Sequence, residues 1–219
     1  MTRLGEAGRD YLKHERGFND ATINKFGIHS IENGVAIFSE LVKKYSVAEI
    51  KNAGLMNNRG GFIFNEPGIL IPCKIKGEVV YYIYRNMKGN SNRKYLCMAG
   101  RAKHYFTGDL EESIAYVFEG VIDAMSFYQL FGMGNIIACS GVGGADNDKI
   151  LNYLGQYGCR TDLRFIYLLD NDEAGQAKVK ELQKKGEKAY ILSDWVEESK
   201  CCLEVSGMKD WNEVLVKSG

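Results

Sequence analysis

The rhythm of hydrophobic and polar positions changes twice along the chain. Up to about Asn58 it predicts short helices. The first is a polar one from Gly5 to Arg16, and the second is Asp20 to Phe26, with Asn19 or Asp20 as N-cap and Gly27 as terminator. Ser46-Val-Ala-Glu49 has the form of a capping box and opens a further helix that stops at Gly54. From Gly61 onward the pattern turns to β-branched and aromatic runs, GFIFN, GILIPCKIK and EVVYYIYR, with Lys76-Gly77 placed as a hairpin turn. A small antiparallel sheet is expected there. Beyond about Leu110, short apolar strands alternate with helices: IAYVFE, VIDAMSFYQLFG, NIIACS, the stretch from Asn147 to Tyr157, LRFIYLLD, EAGQAKVKELQKKG and AYILS. That alternation predicts an α/β unit, a parallel sheet with helices on both faces, over 111–219, preceded by a small α+β subdomain over 1–110.

Composition narrows the class. A chain of 219 residues with 45% hydrophobic residues can bury a substantial core. It has no apolar run of the roughly 18 residues that a membrane span needs, and its start lacks the apolar stretch of a signal peptide, so a cytoplasmic protein with no membrane partner is expected. The six cysteines contain no C-x-x-C pair, and with only three histidines they do not spell a zinc site; reduced, mostly buried thiols are expected. The formal net charge is zero, yet its distribution is uneven. Between Arg85 and His104 stand Arg85, Lys88, Arg93, Lys94, Arg101 and Lys103, with Tyr95 among them and no acidic residue. Basic and aromatic residues interleaved in this way suit a nucleic-acid strand.

The acids gather further on. Glu119 closes the first strand after Leu110, Asp123 follows within the next helix, and Asp170 and Asp172 close LRFIYLLD and open the helix after it. In a parallel sheet the ligand site lies at the carboxyl ends of the strands, so these residues are expected to converge on one edge. Clustered carboxylates repel one another unless a cation or proton lies between them, and an oxygen-only set favours magnesium or manganese. Asp210, just past the last strand, could add a ligand. Asp172 alone would equally well be a helix N-cap. Two readings stay open for Ser140-Gly-Val-Gly-Gly144: a phosphate cradle or a tight βα turn.

At Glu119-Gly120-Val-Ile-Asp123, Ser140-Gly141 and Asp170-Asn-Asp172-Glu-Ala-Gly175-Gln176 the sequence resembles the TOPRIM domain of bacterial primases, topoisomerases and some nucleases. The segments Tyr11-Leu-Lys-His-Glu-Arg-Gly-Phe18, Thr22-Ile-Asn-Lys-Phe-Gly27, GILIPCKIKGEVVYYIYRNM and Arg93-Lys-Tyr-Leu96 are similar to a primase catalytic core, and Lys209-Asp-Trp-Asn-Glu213 is similar to the K-D-x-D-E stretch that closes the primase site. The resemblance implies that Glu119, Asp123, Asp170, Asp172 and Asp210 are metal-site carboxylates, with Glu119, Asp170 and Asp172 catalytic. It also implies that Arg85, Lys94, Tyr95 and Lys103 meet template or incoming nucleotide. Asn212 stands where primases carry Asp; an amide oxygen can still coordinate, but the site's charge falls by one.

The activity implied is synthesis of short RNA primers on single-stranded DNA from nucleoside triphosphates, dependent on Mg2+ or Mn2+, with a replicative helicase as a further partner. A TOPRIM nuclease and a non-catalytic single-strand-binding TOPRIM module are the alternatives. The zinc-binding and helicase-docking segments of ordinary bacterial primases have no counterpart in the sequence, so a fragment or a compact form from a phage, plasmid or other mobile element is expected.

Overall fold

The computed structural model describes residues 3–88, 94–100 and 104–218. They form two compact units: Met1–Glu15, Asn19–Lys74 and Val79–Lys103 in one, and Arg16–Phe18, Ile75–Glu78 and His104–Gly219 in the other.

In the first unit α1 (Glu6–Asp10) runs on into a π-helical turn, Tyr11–Glu15. Helix α2 (Asp20–Phe26) is capped by Asn19, whose side chain accepts the N–H of Thr22 at 2.8 Å, and it ends on Gly27 at φ 66°. Strand β1 (His29–Ile31) and helices α3 (Gly34–Lys44) and α4 (Val47–Asn52) follow, α4 opening with the Ser46/Glu49 capping box. Strands β2 (Gly68–Ile75), β3 (Glu78–Asn86) and β4 (Tyr95–Leu96) complete a sheet of order β1-β2-β3-β4. The turn between β2 and β3 places Lys76 at φ 50° and Gly77 at φ 83°, the paired left-handed geometry that suits a two-residue hairpin.

The run GFIFN is not the expected strand; its one pairing is the bridge Met56↔Phe62. Its alternation arises because Phe62 and Phe64 both turn into the core with Ile31, Leu70 and Tyr84, with Phe64 stacked on Tyr84 at 4.9 Å. Burial alone can produce a period of two without a ladder.

The second unit holds β5 (Phe106–Thr107), β6 (Ile114–Phe118), α5 (Val121–Phe131), β7 (Ile136–Ala138), a 3-10 turn (Val142–Gly144), α6 (Asn147–Gln156), β8 (Arg164–Leu169), α7 (Glu173–Lys184), β9 (Lys188–Ile191), α8 (Leu192–Glu198) and α9 (Trp211–Ser218). Strand order is β5-β7-β6-β8-β9, parallel throughout except for β5, which pairs antiparallel to β7 at the edge. The α/β architecture is therefore as expected, with one short antiparallel strand added. The run AYILS ends as strand at Ile191, and Leu192 already starts α8.

Aromatic side chains clamp the sheet and α9 together. Phe127 of α5 meets Trp211 at 5.1 Å, and Trp195 of α8 meets Trp211 at 5.3 Å, with Trp211 only 1% exposed. Burying a side chain of this size contributes about 2 kcal/mol or more. It also fixes the neighbours of Trp211, Asp210 and Asn212, against the start of α5.

Among the described residues no helix is long and apolar enough to cross a membrane. All six cysteines are unpaired, but only Cys73 and Cys139 are buried; Cys97, Cys159 and Cys201 are half-buried and Cys202 is exposed. The expectation of mostly buried thiols therefore fails. The polar sequence around Cys201 and Cys202 leads from α8 into an irregular segment.

Candidate active site

The chain leaves β6 through α5 toward β7 on one side and leaves β8 through α7 toward β9 on the other, so the carboxyl ends of β6 and β8 form the point where the sheet's winding reverses. Ligand sites in open α/β sheets lie at such a point. Glu119 follows β6 directly, and Asp170 follows β8. The N–H of Asp170 donates to Oε1 of Glu119 at 3.2 Å, which ties the two strand ends together.

Asp123 lies in the first turn of α5 and is 9% exposed. Its Oδ1 accepts the backbone N–H of Asn212 at 3.3 Å. Asp172 is the N-cap of α7, its Oδ1 accepting the N–H of Gly175 at 3.0 Å, while its Oδ2 meets Nζ of Lys209 at 3.0 Å. Asp210 precedes α9, and its Oδ1 accepts the N–H of Glu213 at 2.9 Å. Asp172 is thus the helix cap that the sequence allowed, and its charge acts on Glu119 and Asp170.

The electrostatics link all of them. Burial, then the charges of Asp170 and Asp172, push the Glu119 carboxyl up to about 7. Burial, then Asp210 and Asp172, push Asp170 up to about 6. Asp123 is raised well above the usual carboxylate range by burial and by Asp170 and Asp210. Asp172 goes the other way, held down by the Gly175 N–H and by Lys209. Three crowded, protonation-prone carboxyl groups with oxygen donors alone fit a hard divalent cation in chemistry and in charge. As the side chains stand, however, no group of three or more His, Cys, Asp or Glu among the described residues is arranged to hold a metal ion. One oxygen each of Glu119, Asp123 and Asp210 accepts a backbone N–H, and Asp172 accepts one and pairs with Lys209.

Asn212 has another task than the ligand role open to it on sequence. It is 5% exposed, its Nδ2 donates to the carbonyl of Arg16 at 2.9 Å and to Oγ of Ser126 at 3.0 Å, and its Oδ1 accepts from the Arg16 guanidinium at 3.2 Å. Ser126 in turn donates its hydroxyl proton to the carbonyl of Ile122 at 2.9 Å. The amide is fully engaged, and both of its acceptors need an N–H that a carboxylate lacks.

Gly175 is fixed by close approach: a Cβ there would lie 2.1 Å from the carbonyl oxygen of Asp170 and 3.0 Å from Oε1 of Glu119. The turn Ser140–Gly144 sits beside the same edge, the N–H of Gly141 donating to the carbonyl of Glu119 at 3.0 Å. Arg16, Ser126 and Lys209 were not singled out from sequence as parts of this site. Arg16 and Ser126 carry no motif of their own. Lys209 was visible only as the first letter of a resemblance.

The basic residues belong to the other unit. Arg85 pairs with Tyr95 across β3 and β4, its guanidinium lies 4.6 Å from the Tyr95 ring centroid, and its Nε donates to the Tyr11 hydroxyl at 3.1 Å. Lys94 and Tyr95 are exposed. Lys103, with Arg93 and Arg101, lies outside the described residues.

A mostly parallel sheet with carboxylates gathered where its winding reverses defines a TOPRIM-type α/β domain. The comparisons agree: residues 116–215 match the Toprim-like family. The whole chain has the fold of TOPRIM-containing primase cores. It resembles the RNA polymerase domain of Mycobacterium tuberculosis primase DnaG with a TM-score of 0.63 at 24% identity, over 84% of this chain and 66% of that one. A DnaG primase catalytic domain bound to single-stranded DNA gives 0.65 at 18% identity, over 97% and 68%. The E. coli primase catalytic core gives 0.64 at 19%, over 97% and 69%. At these identities the likeness is one of fold, and the chain spans about two thirds of the length of these cores. No curated protein matches the sequence.

Proposed function

We propose that the protein is a metal-dependent, primase-like nucleotidyltransferase that makes short RNA primers on single-stranded DNA. The observation that carries this reading is the meeting of Glu119 and Asp170 at the reversal point of a sheet whose fold is that of primase cores. Residues 1–110 are assigned to holding strand and nucleotide, and residues 111–219 to the chemistry.

In the reaction a ribonucleotide 3′-hydroxyl attacks the α-phosphate of a second nucleoside triphosphate paired to the template, and pyrophosphate leaves. Glu119, Asp123, Asp170, Asp172 and Asp210 are the residues that would hold Mg2+ or Mn2+, which when bound supplies charge neutralisation at the phosphates and acidifies the attacking hydroxyl. Glu119 keeps Oε1 on the Asp170 N–H, and its burial beside Asp170 and Asp172 disfavours the charged form, which a bound cation would stabilise. Arg85, Lys94 and Lys103 offer positive charge to phosphates, and Tyr95 offers a ring face to a base. A replicative helicase is the further partner this reading implies.

One observation favours a second reading, a non-catalytic strand-binding module: Asn212 is committed to an internal network at a position where the resemblance expects a carboxylate. A single gel separates the readings. Purified protein is incubated with single-stranded DNA, labelled ribonucleotides and magnesium or manganese, with and without a short primer already on the template. Extended products that vanish in Glu119→Gln support the proposal. Degraded template identifies a nuclease, and retained binding without product on either template identifies the non-catalytic module.

A further inference from the structure

Lys209 is held in place at three points, two of them on the acidic edge. Its carbonyl accepts the N–H of Asn171, inside the Asp170-Asn171-Asp172 turn, at 2.7 Å. Its own N–H donates to Oε2 of Glu213 at 2.8 Å. Its ammonium reaches Oδ2 of Asp172 at 3.0 Å. The backbone is thus tethered to the very loop whose side chain the ammonium pairs with, so the cation has little freedom to leave the neighbourhood even when that pair breaks.

Asp172 has only two oxygens. Oδ1 is committed to the N–H of Gly175 as the cap of α7, and losing that bond would free the helix end. Oδ2 is the oxygen left to turn toward a metal, and it is the one Lys209 holds.

We propose that Lys209 is the built-in counter-ion of this site, a tethered ammonium that competes with a divalent cation for Oδ2 of Asp172 and thereby sets how tightly the metal binds. This rests on the reading of the carboxylates as a metal site. In the metal-free protein Lys209 offsets the repulsion of the cluster. On metal binding it is displaced, and its tether keeps it within reach of the phosphates that accompany the metal. Lys209 is a positioning residue in this scheme, since it acts through Asp172.

The experiment measures Mn2+ binding to the full chain by the loss of the free-ion paramagnetic signal, together with the melting temperature in chelator and in saturating Mn2+. Wild type, Lys209→Met, Lys209→Arg and Glu119→Gln are compared, and no nucleotide or DNA is added. Lys209→Met is expected to bind Mn2+ about 10-fold more tightly, which corresponds to about 1.4 kcal/mol. It should melt lower than wild type in chelator and level with it in Mn2+, while Lys209→Arg keeps the charge and stays near wild type. A structural role alone would lower both melting temperatures equally, and that result overturns the proposal. Equal or weaker Mn2+ binding by Lys209→Met, with wild type still binding and Glu119→Gln not, overturns the counter-ion while the metal site stands. Absence of Mn2+ binding in every form brings down the metal reading and the proposal together. The half-exposed position of Lys209 makes misfolding of the Met variant no obstacle, and Lys209→Gln serves as its second form.

Discussion

Glu119 and Asp170 lie at the ends of neighbouring parallel strands, and the backbone N–H of Asp170 donates to the Glu119 carboxylate at 3.2 Å. That single bond brings two acids to one edge while satisfying only one oxygen, so their mutual repulsion remains and is relieved by a proton or a cation. The same arrangement that would assemble a metal site therefore makes the metal-free protein sensitive to pH.

The sign follows from the shifts. Glu119 is raised from 4.5 to about 7 and Asp170 from 3.8 to about 6, so the folded state binds more protons than the unfolded chain between those values. Their contribution to stability is present below the unfolded values and is lost as pH rises through 6 to 7. With chelator present, urea denaturation should show the protein about 1–2 kcal/mol more stable at pH 5 than at pH 8, after allowance for solvent screening of these half-buried groups. Glu119→Gln or Asp170→Asn should flatten this limb and stabilise the protein at pH 8. A limb unchanged in both variants would mean that the crowding does not arise between these residues.

Asn212 yields a prediction in the opposite direction to repair of the motif. Replacing it with Asp restores the residue the resemblance expects, but it sets a carboxylate against the Arg16 carbonyl and the Ser126 oxygen and beside the buried Asp123. Asn212→Asp should cost about 1–3 kcal/mol, and the loss should be larger at pH 8 than at pH 5. Asn212→Ala should cost a similar amount with no such pH dependence. Denaturation at the two pH values distinguishes the cases. An Asp variant as stable as wild type at both would show that the position tolerates a ligand after all.

The α/β order and the acidic edge were legible because both rest on local signals. Unbroken apolar strands ending in Glu119 and Asp170 announce where a parallel sheet opens, and a helix following each one fixes the end. What was not legible depends on long-range contact. Helix α3 places Val35 and Val42 on its exposed side, which blurs the stripe that would identify it. Strands β1 and β5 are too short to show a period, and Phe62 and Phe64 alternate without pairing. Asn212 reads as a weakened ligand in one dimension because its partners, Arg16 and Ser126, are distant in sequence.

Gly175 tests how tightly the edge is built. Even a methyl group there would overlap the carbonyl of Asp170 and press on Glu119, at 2.1 Å and 3.0 Å. Since the first contact is backbone, a rotamer change cannot relieve it. Gly175→Ala should destabilise by about 3 kcal/mol, and it should weaken Mn2+ binding more than an equally destabilising core substitution such as Val179→Ala in the same helix. Equal effects of the two on Mn2+ would mean that the glycine serves only the packing of α7.

The basic residues make the last prediction, because the structure separates two that the sequence treats alike. Arg85 is half-buried, stacked on Tyr95 and bonded to the Tyr11 hydroxyl, whereas Lys94 is exposed. Arg85→Ala removes a cation–π contact and a hydrogen bond, together about 1–2 kcal/mol, so it should lower stability as well as binding of single-stranded DNA. Lys94→Ala should leave stability within about 0.5 kcal/mol and change only binding. If Lys94 meets one phosphate, the slope of log affinity against log salt should fall by about 0.7, the increment for one contact to a single strand. Tyr95→Ala should resemble Arg85→Ala, since one ring face is already occupied by the guanidinium and its loss frees the arginine. The measurement is a salt titration of binding to a fluorescent oligonucleotide, with urea melts of the same samples. Unchanged affinity and slope in both Lys94→Ala and Arg85→Ala would remove this strand from the DNA-binding surface, and the stability loss of the arginine variant would then mark a purely structural pair.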